Sequence, residues 1–141
     1  MVESFWTIPD VISARTPVRI LREQAAALTE QTKGALVGVV ETDRGQFSVN
    51  LEVKLEISVP ALNDYRFRLL TYHQPVEIIY PGTLETADGN LREIPDENSF
   101  ISAIKAVLSS ELVKNVLISL LSQATAARQL TNQPRLALGY A

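Results

Sequence analysis

The sequence predicts an α+β fold: a two-layer domain in which an antiparallel β-meander of four to six strands carries an N-terminal helix and two C-terminal helices on one face. Three observations predict it. Residues 47–59 alternate without a break between apolar odd positions (Phe47, Val49, Leu51, Val53, Leu55, Ile57, Val59) and polar even ones (Ser48 to Ser58), a period of two that a half-buried strand produces and a helix cannot. Glycine, proline and Asx residues bracket further strand-like runs on both sides of it. Apolar residues recur at helical spacing in the stretches before and after. Parallel strands are buried on both faces, so the alternation also selects an antiparallel sheet with one wet face.

The elements follow in chain order. Residues 1–15 form an N-terminal extension whose apolar run Ser4-Phe5-Trp6-Thr7-Ile8-Pro9 is too short for an element. Since it holds the only tryptophan, it is expected to lie on the body of the domain. The first helix is expected from Pro17 to Lys33. Thr16 can cap it by accepting from a free backbone N–H, Pro17 suits the first helical position, and Gly34 supplies the left-handed stop. Ala35 to Thr42 is a strand, turned by Asp43-Arg44-Gly45 into the long one. Pro60 to Asp64 closes a second hairpin into Tyr65–Tyr72. Setting Val59 opposite Tyr65 puts Ile57 against Phe67 and Leu55 against Leu69 on the core face. The same register sets Glu56 against Arg68 and Ser58 against Arg66 on the wet face. His73-Gln74-Pro75 is expected to turn into a fourth strand, Val76–Tyr80, ended by Pro81-Gly82. Thr83–Glu85 and Leu91–Ile94 make one more short hairpin. Asp96 caps a helix bearing Phe100, Ile101, Ile104, Val107 and Leu108, and Ser109-Ser110 breaks it from another bearing Leu112 to Leu121. Residues 125–141 are expected as a loosely ordered tail on a single domain spanning 1–141.

Composition excludes several function classes. The chain has no cysteine, which removes thiolate metal sites, disulfides and thiol catalysis and suits a cytoplasmic setting. A net charge of −3 argues against nucleic acid as a partner. No run approaches the roughly 18 apolar residues that cross a bilayer, so no membrane is expected. The six glycines are scattered and none opens a helix, so no phosphate cradle is present. Glu52 and Glu56 on one strand stand about 13 Å apart, too far for the roughly 5–9.5 Å of a glycosidase pair. No catalytic residue, cofactor or metal ligand is assigned. His73, the only histidine, reads as a polar turn residue.

Two functional expectations remain. With Tyr72 facing Val76 across a short turn, Leu70, Tyr72, Val76 and Ile78, joined by Val37 and Val39, would form a contiguous apolar region on the outer sheet face. Such a region would serve as a contact for self-association or another protein. The chain is then a small non-enzymatic binding or adaptor domain and a homo-oligomer. The alternative is a pocket between a curved sheet and its helices, holding a small-molecule ligand or supporting acid–base chemistry, with Tyr65, Tyr72, His73 and Tyr80 as its polar groups.

Overall fold

A computed structural model describes residues 3–9, 15–44 and 50–131. The expected order α-β-α-α is present with five strands. These are α1 (Pro17–Gln31), β1 (Val37–Arg44), β2 (Asn50–Val59), β3 (Tyr65–Pro75), β4 (Gly82–Thr86), β5 (Leu91–Ile94), α2 (Glu97–Leu108) and α3 (Glu111–Thr131). A 3-10 turn, Pro60–Leu62, joins β2 to β3. All strand pairs are antiparallel and the sheet order is β1-β2-β3-β4-β5. The turn expected at Gly45 and the first residues of the long strand lie outside the described residues, as does the tail from 132 onward.

The helices begin where their caps place them. The Thr16 hydroxyl accepts from the Arg19 N–H at 3.2 Å, and Asp96 Oδ1 accepts from the Ser99 N–H at 2.8 Å. Ser110 Oγ accepts from the Val113 N–H at 3.3 Å, so the Ser109-Ser110 break does start a new helix. Helix α1 stops at Gln31, because Thr32 already leaves the helix and its hydroxyl accepts from the Leu36 N–H, tying the helix end to the start of β1. Helix α3 continues past Thr125 to Thr131, into the segment expected as tail; its apolar face still supplies Leu120 and the fully buried Ala124 to the core.

Helix α1 crosses β1 closely, and Gly38 makes that possible. A Cβ there would overlap the Cα and carbonyl oxygen of Ala25, while the Gly38 N–H donates to Thr29 Oγ1 at 2.9 Å. Gly82 on β4 plays the same part beneath the Tyr72 ring. The core lies between this helical layer and one sheet face, around Leu21, Leu36, Val53, Ile57, Leu84 and Phe100.

Two expectations for β3 and its neighbour are corrected. The register runs as expected from Val59↔Tyr65 to Glu56↔Arg68, then slips, so that Leu55 pairs with Leu70 and not Leu69. The extra residue is a β-bulge, which reverses the facing of every later side chain on that strand. Leu70 and Tyr72 therefore enter the core, and Thr71 and His73 fall on the opposite sheet face across from Lys54 and Glu52, where Thr71 is nonetheless buried. Nor does the strand turn at His73: it continues to Pro75, paired with Asn50. Val76–Tyr80 is not a strand but a connecting loop, and β4 pairs directly with β3 through Tyr72↔Leu84 and His73↔Thr83. Inside the loop the Ile78 N–H donates to the Pro75 carbonyl at 3.3 Å, and the Ile79 carbonyl accepts from Tyr72 Oη at 2.8 Å. These local bonds occupy backbone groups that a sheet ladder would need.

Candidate functional site

Strand alternation and the bulge decide what the outer face of the sheet carries. Val37, Val39, Glu41 and Asp43 of β1 lie opposite Ser58, Glu56, Lys54 and Glu52 of β2. Arg66 and Arg68 of β3 face Ser58 and Glu56 from the other side. The result is a network of charges rather than an apolar surface. The Glu56 carboxylate, buried among its neighbours, lies 3.4 Å from both Arg66 Nη1 and Arg68 Nε, and Arg66 also pairs with Glu41. Lys54 Nζ stands 3.7 Å from Glu52 and 4.0 Å from Asp43. His73 bridges two carboxylates, with Nδ1 3.5 Å from Glu52 and Nε2 3.0 Å from Glu85. Glu41, Asp43, Glu52 and Glu56 each lie within ion-pair distance of Lys54, Arg66 or Arg68, so much of the charge on this face is answered locally. No group of three His, Asp or Glu side chains among the described residues could hold a metal ion.

The six residues expected to form the apolar region are separated. Leu70 and Tyr72 are 1% and 0% exposed. Val37 and Val39 are half-buried at the Ser58 end of the outer face. Val76 and Ile78, 43% and 50% exposed, sit in the loop after Pro75. Ser58 and Asn50, the β2 partners of Val37 and Pro75, mark ends of the strand about 26 Å apart.

The four polar groups expected around a pocket are also dispersed. Tyr65 is half-exposed at the start of β3, and His73 belongs to the outer face. Only Tyr72 and Tyr80 meet, in an aromatic cluster with Phe100: the Tyr72 and Phe100 rings pack edge to face at 5.0 Å, and Tyr80 stands 6.0 Å from Tyr72. Burial pushes the Tyr72 phenol up to about 12, helped by the charge of Glu93. Burial also raises the Tyr80 phenol, and the Tyr72 hydroxyl adds to the effect. Tyr72 Oη has its partner in the Ile79 carbonyl, whereas Tyr80 Oη is buried with no hydrogen-bond partner among the described residues.

Two surface features were not anticipated from the sequence. The first is the N-terminal arm. Phe5, Trp6 and Ile8 are 90%, 82% and 76% exposed, so the segment stands off the domain and does not lie on it. Its composition was legible, but whether the body offered it a seat was not. The second is a groove of about 650 Å3 beside α3, floored by Leu62, Phe67, Val116 and Leu120 and edged by Tyr65. Asn115, Ser119 and Gln123 form its polar rim, and no charged side chain lines it among the described residues. No helix among the described residues is long and apolar enough to cross a membrane. No family model, curated protein or solved structure matches the chain.

Proposed function

We propose that the chain is a cytoplasmic, non-enzymatic protein-binding domain that forms homo-oligomers, and that its contact element is the arm Phe5–Ile8 rather than an apolar sheet face. One observation carries this reading: three large apolar side chains, the sole tryptophan among them, lie in water on one short extended segment. Isolated exposed apolar residues are ordinary on protein surfaces. A contiguous aromatic-aliphatic cluster is not, and Trp and Phe are enriched at the centres of protein interfaces. The charge-paired outer face supports the change of location, since a partner docking there would have to desolvate ion pairs that already satisfy one another.

The test is site-specific photo-crosslinking. A photoreactive phenylalanine analogue placed at Phe5 in the producing cell is expected to give a discrete adduct with a polypeptide, identified by mass spectrometry, that disappears when Trp6→Ala is added. The same probe at Arg22, an exposed position on α1, serves as control. Equal and diffuse labelling from both positions would sink the proposal.

A further inference from the structure

We infer that the crevice between α1 and α2 binds a slender amphipath, a medium-chain alkyl carboxylate, with its head at Lys105 and its chain in the apolar cleft over β2 and β3. The site shares no residue with the arm or with the groove beside α3.

The crevice follows from how the helices sit on the sheet. Helix α1 is held down on β1, because Gly38 lets the backbone of Ala25 come close. Helix α2 packs elsewhere, through Phe100 against Tyr72 of β3. Two adjoining spaces open between these helices. The outer one is a groove of about 590 Å3, floored by Ile20 of α1 and by Ile101, Ile104 and Leu108 of α2. The inner one is a cleft of about 190 Å3, walled by Leu28 and Leu117 with Leu55, Ile57 and Leu69 of the sheet. Gln24 and Leu108 line both, so the groove leads into the cleft.

Charge selects the head group. The groove carries two cations, Arg15 and Lys105, and no carboxylate lines it among the described residues. Arg15 is already bonded to Glu23, at 2.5 Å. Lys105 is exposed and has no ion pair among the described residues. Its ammonium is a compact charge with three rotatable donors, and one such cation answers one negative charge, which favours a monoanion over a doubly charged phosphate. Gln24, exposed at the mouth of the cleft, adds amide donors. The Ser109 hydroxyl does not, because it donates to the Lys105 carbonyl at 2.7 Å.

The cleft selects the rest of the ligand. No charged side chain lines it among the described residues, and Gln24 and Gln31 are its polar groups. They lie seven residues apart on α1, about 10 Å along the helix. At about 190 Å3 the cleft is smaller than the roughly 300–1,000 Å3 of a site for a drug-sized ligand, so it takes a slender chain and not fused rings. Affinity there comes from apolar burial, about fourfold in Kd for each methylene drawn out of water. The outer groove does fall in the usual range, which leaves room for the head and the first part of the chain.

The experiment is equilibrium dialysis of the full chain against radiolabelled octanoate, decanoate and decyltrimethylammonium, each below its micelle concentration. One decanoate per chain is expected, bound roughly tenfold tighter than octanoate and roughly tenfold tighter than the cation of equal chain length. Lys105→Glu should reverse the preference, weakening decanoate roughly tenfold and strengthening decyltrimethylammonium. Lys105 is exposed, so this variant keeps the fold, which circular dichroism verifies. Ala27→Phe, which puts a ring into the cleft, should abolish the gain from octanoate to decanoate. Uptake of decanoate that does not saturate at one per chain overturns the site. Equal binding of the anion and the cation, or a preference that Lys105→Glu leaves unmoved, overturns the head position. Equal affinity for octanoate and decanoate in the unaltered chain overturns the cleft as the place of the alkyl chain.

Discussion

Deleting one oxygen atom at each of two neighbouring tyrosines should change stability in opposite directions. Tyr72 and Tyr80 share an aromatic cluster with Phe100, but only Tyr72 Oη has a partner, the Ile79 carbonyl at 2.8 Å. Tyr72→Phe removes that bond and leaves a carbonyl without it, a loss of about 1–2 kcal/mol. Tyr80 Oη is buried with no partner among the described residues. Tyr80→Phe therefore removes a desolvated hydroxyl that returns nothing, a gain of about 1–3 kcal/mol. For a domain of this size 1 kcal/mol moves Tm by about 4 °C, so thermal unfolding followed by circular dichroism should show the two variants on opposite sides of the wild type. Because the rings are 6.0 Å apart, the double variant is needed to measure their coupling. A Tyr80→Phe protein that melts as early as Tyr72→Phe would refute the reasoning, since the Tyr80 hydroxyl would then be satisfying a partner. A water or a small ligand would be the one to seek, and the pocket expectation would regain support.

Three further outcomes follow from the same structure. Leu70→Ala should lose about 2–5 kcal/mol in denaturant unfolding, as a core position does, because the bulge turns this side chain inward; an unchanged midpoint would place Leu70 on the outer face. Gly38→Ala should destabilise by about 1–3 kcal/mol or more in the same assay, since its Cβ would meet the α1 backbone at Ala25, which cannot yield as a side-chain tip can. Stability should also fall at both ends of the pH range. The Asp96 carboxylate is held below its usual 3.8 by the Ser99 N–H it accepts from, so its contribution is present above that value and is lost as pH drops through the lowered folded-state value. Tyr72 is raised from 10.0 to about 12, so its contribution is intact below pH 10 and is lost as pH climbs toward 12. Asp96→Asn should flatten the acid limb, and Tyr72→Phe the alkaline one.

The arm and the charged face divide the surface by their physics. On the outer face of β1, β2 and β3 the residues Glu41, Asp43, Glu52, Lys54, Glu56, Arg66 and Arg68 pair with one another, so a partner docking there would have to displace existing ion pairs. The arm has no such partner among the described residues, and its exposed rings lower their free energy on leaving water. On the proposed reading the body is a folded base that carries the arm, and association through uncharged Phe5, Trp6 and Ile8 is expected to respond to concentration far more than to salt.

Local chemistry was enough to read most of the framework. The alternation of residues 47–59 implied a one-sided antiparallel sheet, and Thr16, Asp96 and Ser110 marked helix starts, because a cap or a pleat depends only on residues a few positions away. The phase of β3 beyond Arg68 was different. Whether Leu69 or Leu70 meets Leu55 is settled by pairing between strands, and a single extra residue exchanges the two faces. The doublet Leu69-Leu70, where the apolar positions change from odd to even, was the one written trace of it. That exchange put Tyr72 into the core and His73 into the charge network, and so dissolved both expected sites. Only the tertiary structure could show that Phe5, Trp6 and Ile8 stay exposed and are not seated against the described residues, since a seat is a property of distant residues brought together.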